Sequence, residues 1–77
     1  MKALITGGSS GIGRDIAYYL SNKGIDLILV GRNIDALNSV KDKCKTNVEV
    51  IDMDLSIQDN VYKLYDLTKD KDIDILI

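Results

Sequence analysis

Short apolar runs alternate along the chain with stretches whose apolar residues recur at helical spacing. Ala3 to Thr6 reads as a first strand. Ile12, Ile16, Ala17 and Leu20 fall on one face of a helix, and Gly24 is a suitable stop for it. Asp26 to Val30 is a second, almost wholly apolar strand. Asn33 can cap a second helix that carries Ile34, Leu37, Val40 and Cys44 on one face. Val48 to Met53 gives a third strand. Ser56 is placed to cap a third helix, with Asp59 as the acid of a capping box and Ile57, Val61, Leu64 and Thr68 turned inward. Asp74 to Ile77 opens a fourth strand.

The order β-α-β-α-β-α-β implies a parallel sheet, because a parallel pair needs a crossover and each crossover here carries a helix. Strands this apolar need cover on both faces. The expected fold class is therefore α/β, a three-layer Rossmann-type parallel sheet that stops after its first four strands. The chain runs into an apolar strand with no turn or cap after it, and an uncovered edge of that kind invites aggregation. Residues 1–77 are thus expected to be the N-terminal half of a domain of this type, truncated rather than complete.

Composition adds few constraints. The chain has 77 residues and a formal net charge of −2, which gives no electrostatic reason to expect nucleic acid or an acidic membrane as partner. No apolar stretch approaches the roughly 18 residues of a membrane span, and the N-terminal apolar run is too short for a signal-peptide core. The single cysteine, Cys44, forbids an internal disulfide and suits a reducing, cytoplasmic setting; it is read as a small core residue. Histidine is absent, so the commonest general base and metal ligand is missing.

The candidate chemistry lies in Thr6-Gly7-Gly8-Ser9-Ser10-Gly11-Ile12-Gly13, between the first strand and the first helix. A helix N-terminus offers unpaired N–H groups and the positive end of a dipole, and glycines let backbone approach a pyrophosphate closely. A P-loop reading fails because Arg14 and Asp15 stand where lysine and a magnesium-binding hydroxyl are required. Asp70, Asp72 and Asp74 open like a calcium loop, but Ile75 replaces the glycine such a loop needs. No metal site is expected.

The glycine spacing, Thr-Gly-x-x-x-Gly-x-Gly, resembles that of the classical short-chain dehydrogenase/reductase family, and the later landmarks of that family fall in order along the whole chain. The resemblance implies that Gly7, Ser9, Ser10, Gly11, Ile12 and Gly13 surround a dinucleotide pyrophosphate. It also implies that Asp54 meets the adenine amino group, with the backbone of Leu55 alongside. An NAD-binding unit carries an acid after its second strand to hold the ribose hydroxyls; here Gly31 and Arg32 stand there. A guanidinium can bind a 2′-phosphate that a carboxylate would repel, so NADP(H) is expected over NAD(H). Family members that prefer NADP often carry a second basic residue at the position held here by Ser10.

The resemblance further implies a parent oxidoreductase that moves a hydride between nicotinamide and a carbonyl or alcohol substrate. The family's catalytic serine and its Tyr-x-x-x-Lys pair lie beyond the fifth strand. Tyr19 with Lys23, and Tyr65 with Lys69, share the Tyr-x-x-x-Lys spacing but fall on the first and third helices, and are read as incidental. No catalytic residue is therefore expected in this segment, which by itself should be inactive. The small-molecule substrate would meet the parent protein only, and a homo-oligomer is compatible with the family. The alternative reading is a non-catalytic module that binds dinucleotides or serves as a structural or interaction partner.

Overall fold

A computed structural model describes residues 1–8 and 11–77. Its elements are β1 (Lys2–Thr6), α1 (Gly11–Asn22), β2 (Asp26–Gly31), α2 (Ile34–Lys43), β3 (Val48–Asp52), α3 (Gln58–Thr68) and β4 (Ile75–Leu76). The strands form one parallel sheet in the order β3-β2-β1-β4. Two strands are laid down on one side of β1 before the chain crosses back to the other side. That reversal marks the topological switch point, where α/β sheets place ligands outside the carboxyl ends of their strands.

Alternation along β1 and β2 divides the interior into two cores. Ala3, Ile5, Leu27 and Leu29 face Ala17 of α1 and Leu37 and Val40 of α2. Leu4, Ile28 and Val30 face the opposite way, where Leu64 of α3 meets them. The α/β class, the element order and the three layers expected from the sequence are therefore present. Among the described residues, no helix is long and apolar enough to cross a membrane.

The strand limits shift only slightly. β4 is regular over two residues, yet its ladder is longer: the N–H of Asp74 donates to the Lys2 carbonyl, and that of Ile77 to the Leu4 carbonyl. Asn33 caps α2 as expected, accepting from the Ala36 N–H at 3.1 Å. Cys44 follows α2 as its extended C-terminal cap rather than lying within it, and packs half-buried against the α1/α2 core. Burial raises its thiol pKa above the ordinary value, opposed by the hydroxyl of Ser21.

Two expectations about helix faces are corrected. Ile12 is exposed, because the row of α1 that meets the sheet runs through Gly13, Ala17 and Ser21; of the rest of the expected face, Ala17 is buried and Ile16 and Leu20 are partly buried. Small residues bring the helix close to the strands, and Ile16 and Leu20 pack along its flank. In α3, Ile57 and Val61 are about half exposed; only Leu64 and Thr68 are buried. The helix touches the sheet along one narrow line, and no other described element stands beside it to cover the rest. Ser56 does not cap α3: its hydroxyl is committed to Asp54, and the helix begins after Ile57 without a side-chain cap. With the start moved one residue on, Asp59 is no longer at the capping-box position.

At the amino ends of the strands, Ser21 forms a buried polar joint. Its hydroxyl oxygen accepts from the N–H of Lys45 at 2.7 Å and of Thr46 at 3.3 Å, while the Thr46 hydroxyl donates to the Ile25 carbonyl at 2.7 Å. These bonds tie the end of α1 to the turn before β3. Replacing Ser21 with alanine strips those N–H groups of their acceptor where water has little access. Urea denaturation should show a loss of about 1–3 kcal/mol, the usual cost of orphaning a buried polar group.

Candidate dinucleotide-binding site

The turn between β1 and α1 is closed by glycine. Gly7 holds φ +67°, a region other residues enter at a cost, and its N–H donates to the Val30 carbonyl at 3.0 Å. Gly13, in the first turn of α1, lies against it. A Cβ at Gly13 would fall 2.4 Å from the Gly7 carbonyl oxygen and 3.2 Å from the Gly8 Cα. Helix and turn therefore meet backbone to backbone, a contact that only glycine permits. Among the described residues, nothing beyond the chain neighbours lies within 4 Å of a Cβ placed on Gly7 or on Gly11. Ser9 and Ser10 lie outside the described residues.

A cleft of about 930 Å³ opens at the carboxyl ends of β1, β2 and β3. Thr6 and Gly7 line it from β1 and its turn, Gly31, Arg32 and Asn33 from the end of β2, and Met53, Asp54, Leu55 and Ser56 from the end of β3. Four of the residues singled out in the sequence thus meet here: Gly7, Arg32, Asp54 and Leu55. Gly11, Ile12 and Gly13 sit at the first turn of α1 and do not line the cleft, and Ile12 is exposed. Gly13 packs the helix onto the turn.

The charges of the cleft are arranged across its mouth. Arg32 is largely exposed, and its Nη1 lies 3.7 Å from Oδ2 of Asp54. Asp54 is anchored by its own loop: Oδ1 accepts from the Ser56 hydroxyl at 2.6 Å and from the Ser56 N–H at 2.9 Å. The Asp54 carbonyl accepts from Nδ2 of Asn60 at 2.9 Å. The Ser56 hydrogen bonds, with a smaller contribution from Arg32, hold the Asp54 carboxyl below its ordinary pKa. Sequence reasoning did not find the roles of Ser56 and Asn60. The signal available was an Asp-x-Ser turn, read as a helix cap instead.

Both Tyr-x-x-x-Lys strings lie away from this lining. Lys23 Nζ sits 5.4 Å from the centre of the Tyr19 ring at the C-terminal end of α1, opposite the cleft. Lys69 faces Asp66 at 3.9 Å, and Tyr65 is exposed on α3. Arg14 pairs with its neighbour Asp15 at 3.6 Å and does not line the cleft.

The profile of the short chain dehydrogenase family matches residues 1–77, the whole chain. The chain belongs to that family. An oxidoreductase of Staphylococcus epidermidis described as uncharacterized is 41% identical over 59 residues, covering 77% of this chain and 26% of that protein. A very-long-chain 3-oxoacyl-CoA reductase of Candida glabrata is 36% identical over 81 residues, covering 97% of this chain and 23% of the reductase. Among solved structures, a short-chain dehydrogenase from Sphingobium yanoikuyae in complex with NADPH superposes with a TM-score of 0.84 at 34% identity, covering 97% of this chain and 32% of that one. The chain spans about a quarter of the length of the curated relatives it matches. Within this short-chain dehydrogenase chain, the four-stranded parallel sheet and the close packing of Gly13 against Gly7 stand together.

Proposed function

We propose that residues 1–77 form the N-terminal half of an NAD(P)-binding domain and hold the adenosine and pyrophosphate part of NADP(H). The parent would be an oxidoreductase acting on a carbonyl or alcohol. Gly7, Ser9, Ser10, Gly11 and Ile12 would surround the pyrophosphate, with Gly13 shaping the turn. Arg32 would bind the 2′-phosphate, and Asp54 with the Leu55 backbone would meet the adenine. The nicotinamide, when bound, supplies the hydride chemistry. This segment contributes binding, orientation and charge.

The observation that carries the reading is the guanidinium of Arg32, exposed at the mouth of the cleft directly after β2, where an NAD-binding unit places an acid. Gly31 beside it lines the cleft with its backbone, and a Cβ there would lie against Leu37 at 3.5 Å. The start of α1 suits an anion, because the first N–H groups of a helix have no partner within it. The NADPH complex of the Sphingobium relative is in keeping with this choice.

Calorimetric titration of the chain with NADP⁺ and with NAD⁺ tests the proposal, with Arg32→Ala beside it. Tighter binding of NADP⁺ is expected. A hydrogen-bonded charge pair of this kind contributes about 1.5–3 kcal/mol, so the variant should lose roughly ten- to hundredfold in NADP⁺ affinity and little for NAD⁺. Equal affinity of the unaltered chain for the two dinucleotides would remove Arg32 from the assigned role. Absence of binding to both by folded chain would remove the site.

A further inference from the structure

The cation that would tell the two dinucleotides apart already has a partner. Among the described residues, the ion-pair partner of Arg32 is Asp54, across the mouth of the cleft, with Nη1 and Oδ2 3.7 Å apart. The two sides of this pair are held very differently. Asp54 is fixed by two hydrogen bonds from Ser56 to Oδ1 and by Asn60 on its carbonyl, which leaves Oδ2 turned toward Arg32. Arg32 reaches across on a long side chain that is 75% exposed. The carboxylate is therefore the stationary member and the guanidinium the movable one.

Resting on the reading that Arg32 takes the 2′-phosphate, we infer that Asp54 is a built-in competitor for that phosphate and sets how strongly the chain prefers NADP over NAD. At 3.7 Å the carboxylate holds Arg32 by charge alone, beyond hydrogen-bond length. A phosphate offers several acceptor oxygens and a closer, bidentate grip, so it displaces the carboxylate. A ligand without the 2′-phosphate has no need to move Arg32. The cost of opening the pair thus falls on the phosphorylated ligand only. Removing the charge of Asp54 should then sharpen discrimination, although Asp54 is itself assigned to the site. An exposed ion pair at this distance is weak, so the gain should be about two- to fivefold.

The test measures dissociation constants of 2′,5′-ADP and 5′-AMP, which differ only in the 2′-phosphate. The full chain is compared with Asp54→Asn, Asp35→Asn, Arg32→Ala and the Arg32→Ala/Asp54→Asn double variant. Both probes meet the same folded fraction and the same adenine contacts, so their ratio is insensitive to partial unfolding or to a lost adenine contact. Asp35 also lines the cleft but does not pair with Arg32, and it controls for bulk charge. The preference for 2′,5′-ADP should rise about two- to fivefold in Asp54→Asn, less in Asp35→Asn, and not at all when Arg32 is absent. An unchanged or reduced preference in Asp54→Asn overturns the inference, as does an equal rise in Asp35→Asn or a rise without Arg32. If the unaltered chain shows no preference, or Arg32→Ala keeps it, the assignment of Arg32 fails and the competition falls with it. Failure at Asp54 alone leaves that assignment standing.

Discussion

Gly13→Ala is expected to disable the cleft and weaken the fold together. The new methyl would sit 2.4 Å from the Gly7 carbonyl oxygen and 3.0 Å from its carbon. Both atoms are backbone, so no side chain can rotate away. Either α1 lifts from the sheet or the glycine turn is pushed outward. Lifting α1 would also loosen Ala17 and Ser21, which are buried one and two helical turns further along the same row. Overpacking of this kind costs about 1–3 kcal/mol, sometimes more. A domain of this length has roughly 4–12 kcal/mol of stability in total. Thermal denaturation should show a clear fall in Tm. NADP⁺ titration at a temperature where the variant remains folded should show binding lost or reduced by well over tenfold. A variant with unaltered Tm and affinity would mean that the turn and helix are free to separate, contrary to the packing described.

The two central strands were readable because Ala3 to Ile5 and Leu27 to Val30 are unbroken apolar runs, and a run buried on both faces admits few other assignments. The α2 cap was readable for a similarly local reason, since Asn33 needs only the N–H of Ala36, three residues on. Long-range pairings left no such trace. Ser21 meets Lys45 and Thr46, and Arg32 meets Asp54, only once β2 and β3 lie side by side. The α1 face is displaced for a different reason. Apolar periodicity puts Ile12, Ile16, Ala17 and Leu20 together, and of these Ile12 falls outside the packing. The helix instead approaches along its small residues, Gly13, Ala17 and Ser21, and closeness rather than bulk decides which row faces the sheet. Ser56 shows the same limit at short range: a serine before a helix can cap it or close a turn onto a preceding aspartate, and the geometry chose the turn. Of the candidate site, the glycine turn and the residues after β2 and β3 were legible as positions. The ion pair that couples them was not.

The two cores should respond unequally to the same deletion, even though Leu29 and Ile28 are neighbours on β2 and both are fully buried. Leu29 points into the α1/α2 side, where seven of the described residues are buried and are backed by Ile16 and Leu20 of α1, Cys44 after α2, and Val48 and Val50 of β3. Truncation to alanine there leaves a cavity that two packed helices cannot readily collapse, and the cost should lie toward the upper part of the roughly 2–5 kcal/mol range. A loss of that size would leave the chain close to unfolding. Ile28 points to the other side, where the buried cluster is Leu4, Ile28, Val30 and Leu64. A groove of about 490 Å³ runs there beside Leu4, Leu64 and Leu76, and Val61 and Leu76 are already exposed. Neighbours on that face can move into the space, and less packing is lost. Ile28→Ala should therefore cost less than Leu29→Ala by at least about 1 kcal/mol, a difference set by how far each site can relax. Chemical denaturation of the two variants, with equal m-values, would measure it directly. Equal losses would mean that α3 holds its face of the sheet as firmly as α1 and α2 hold theirs, despite burying only Leu64 and Thr68.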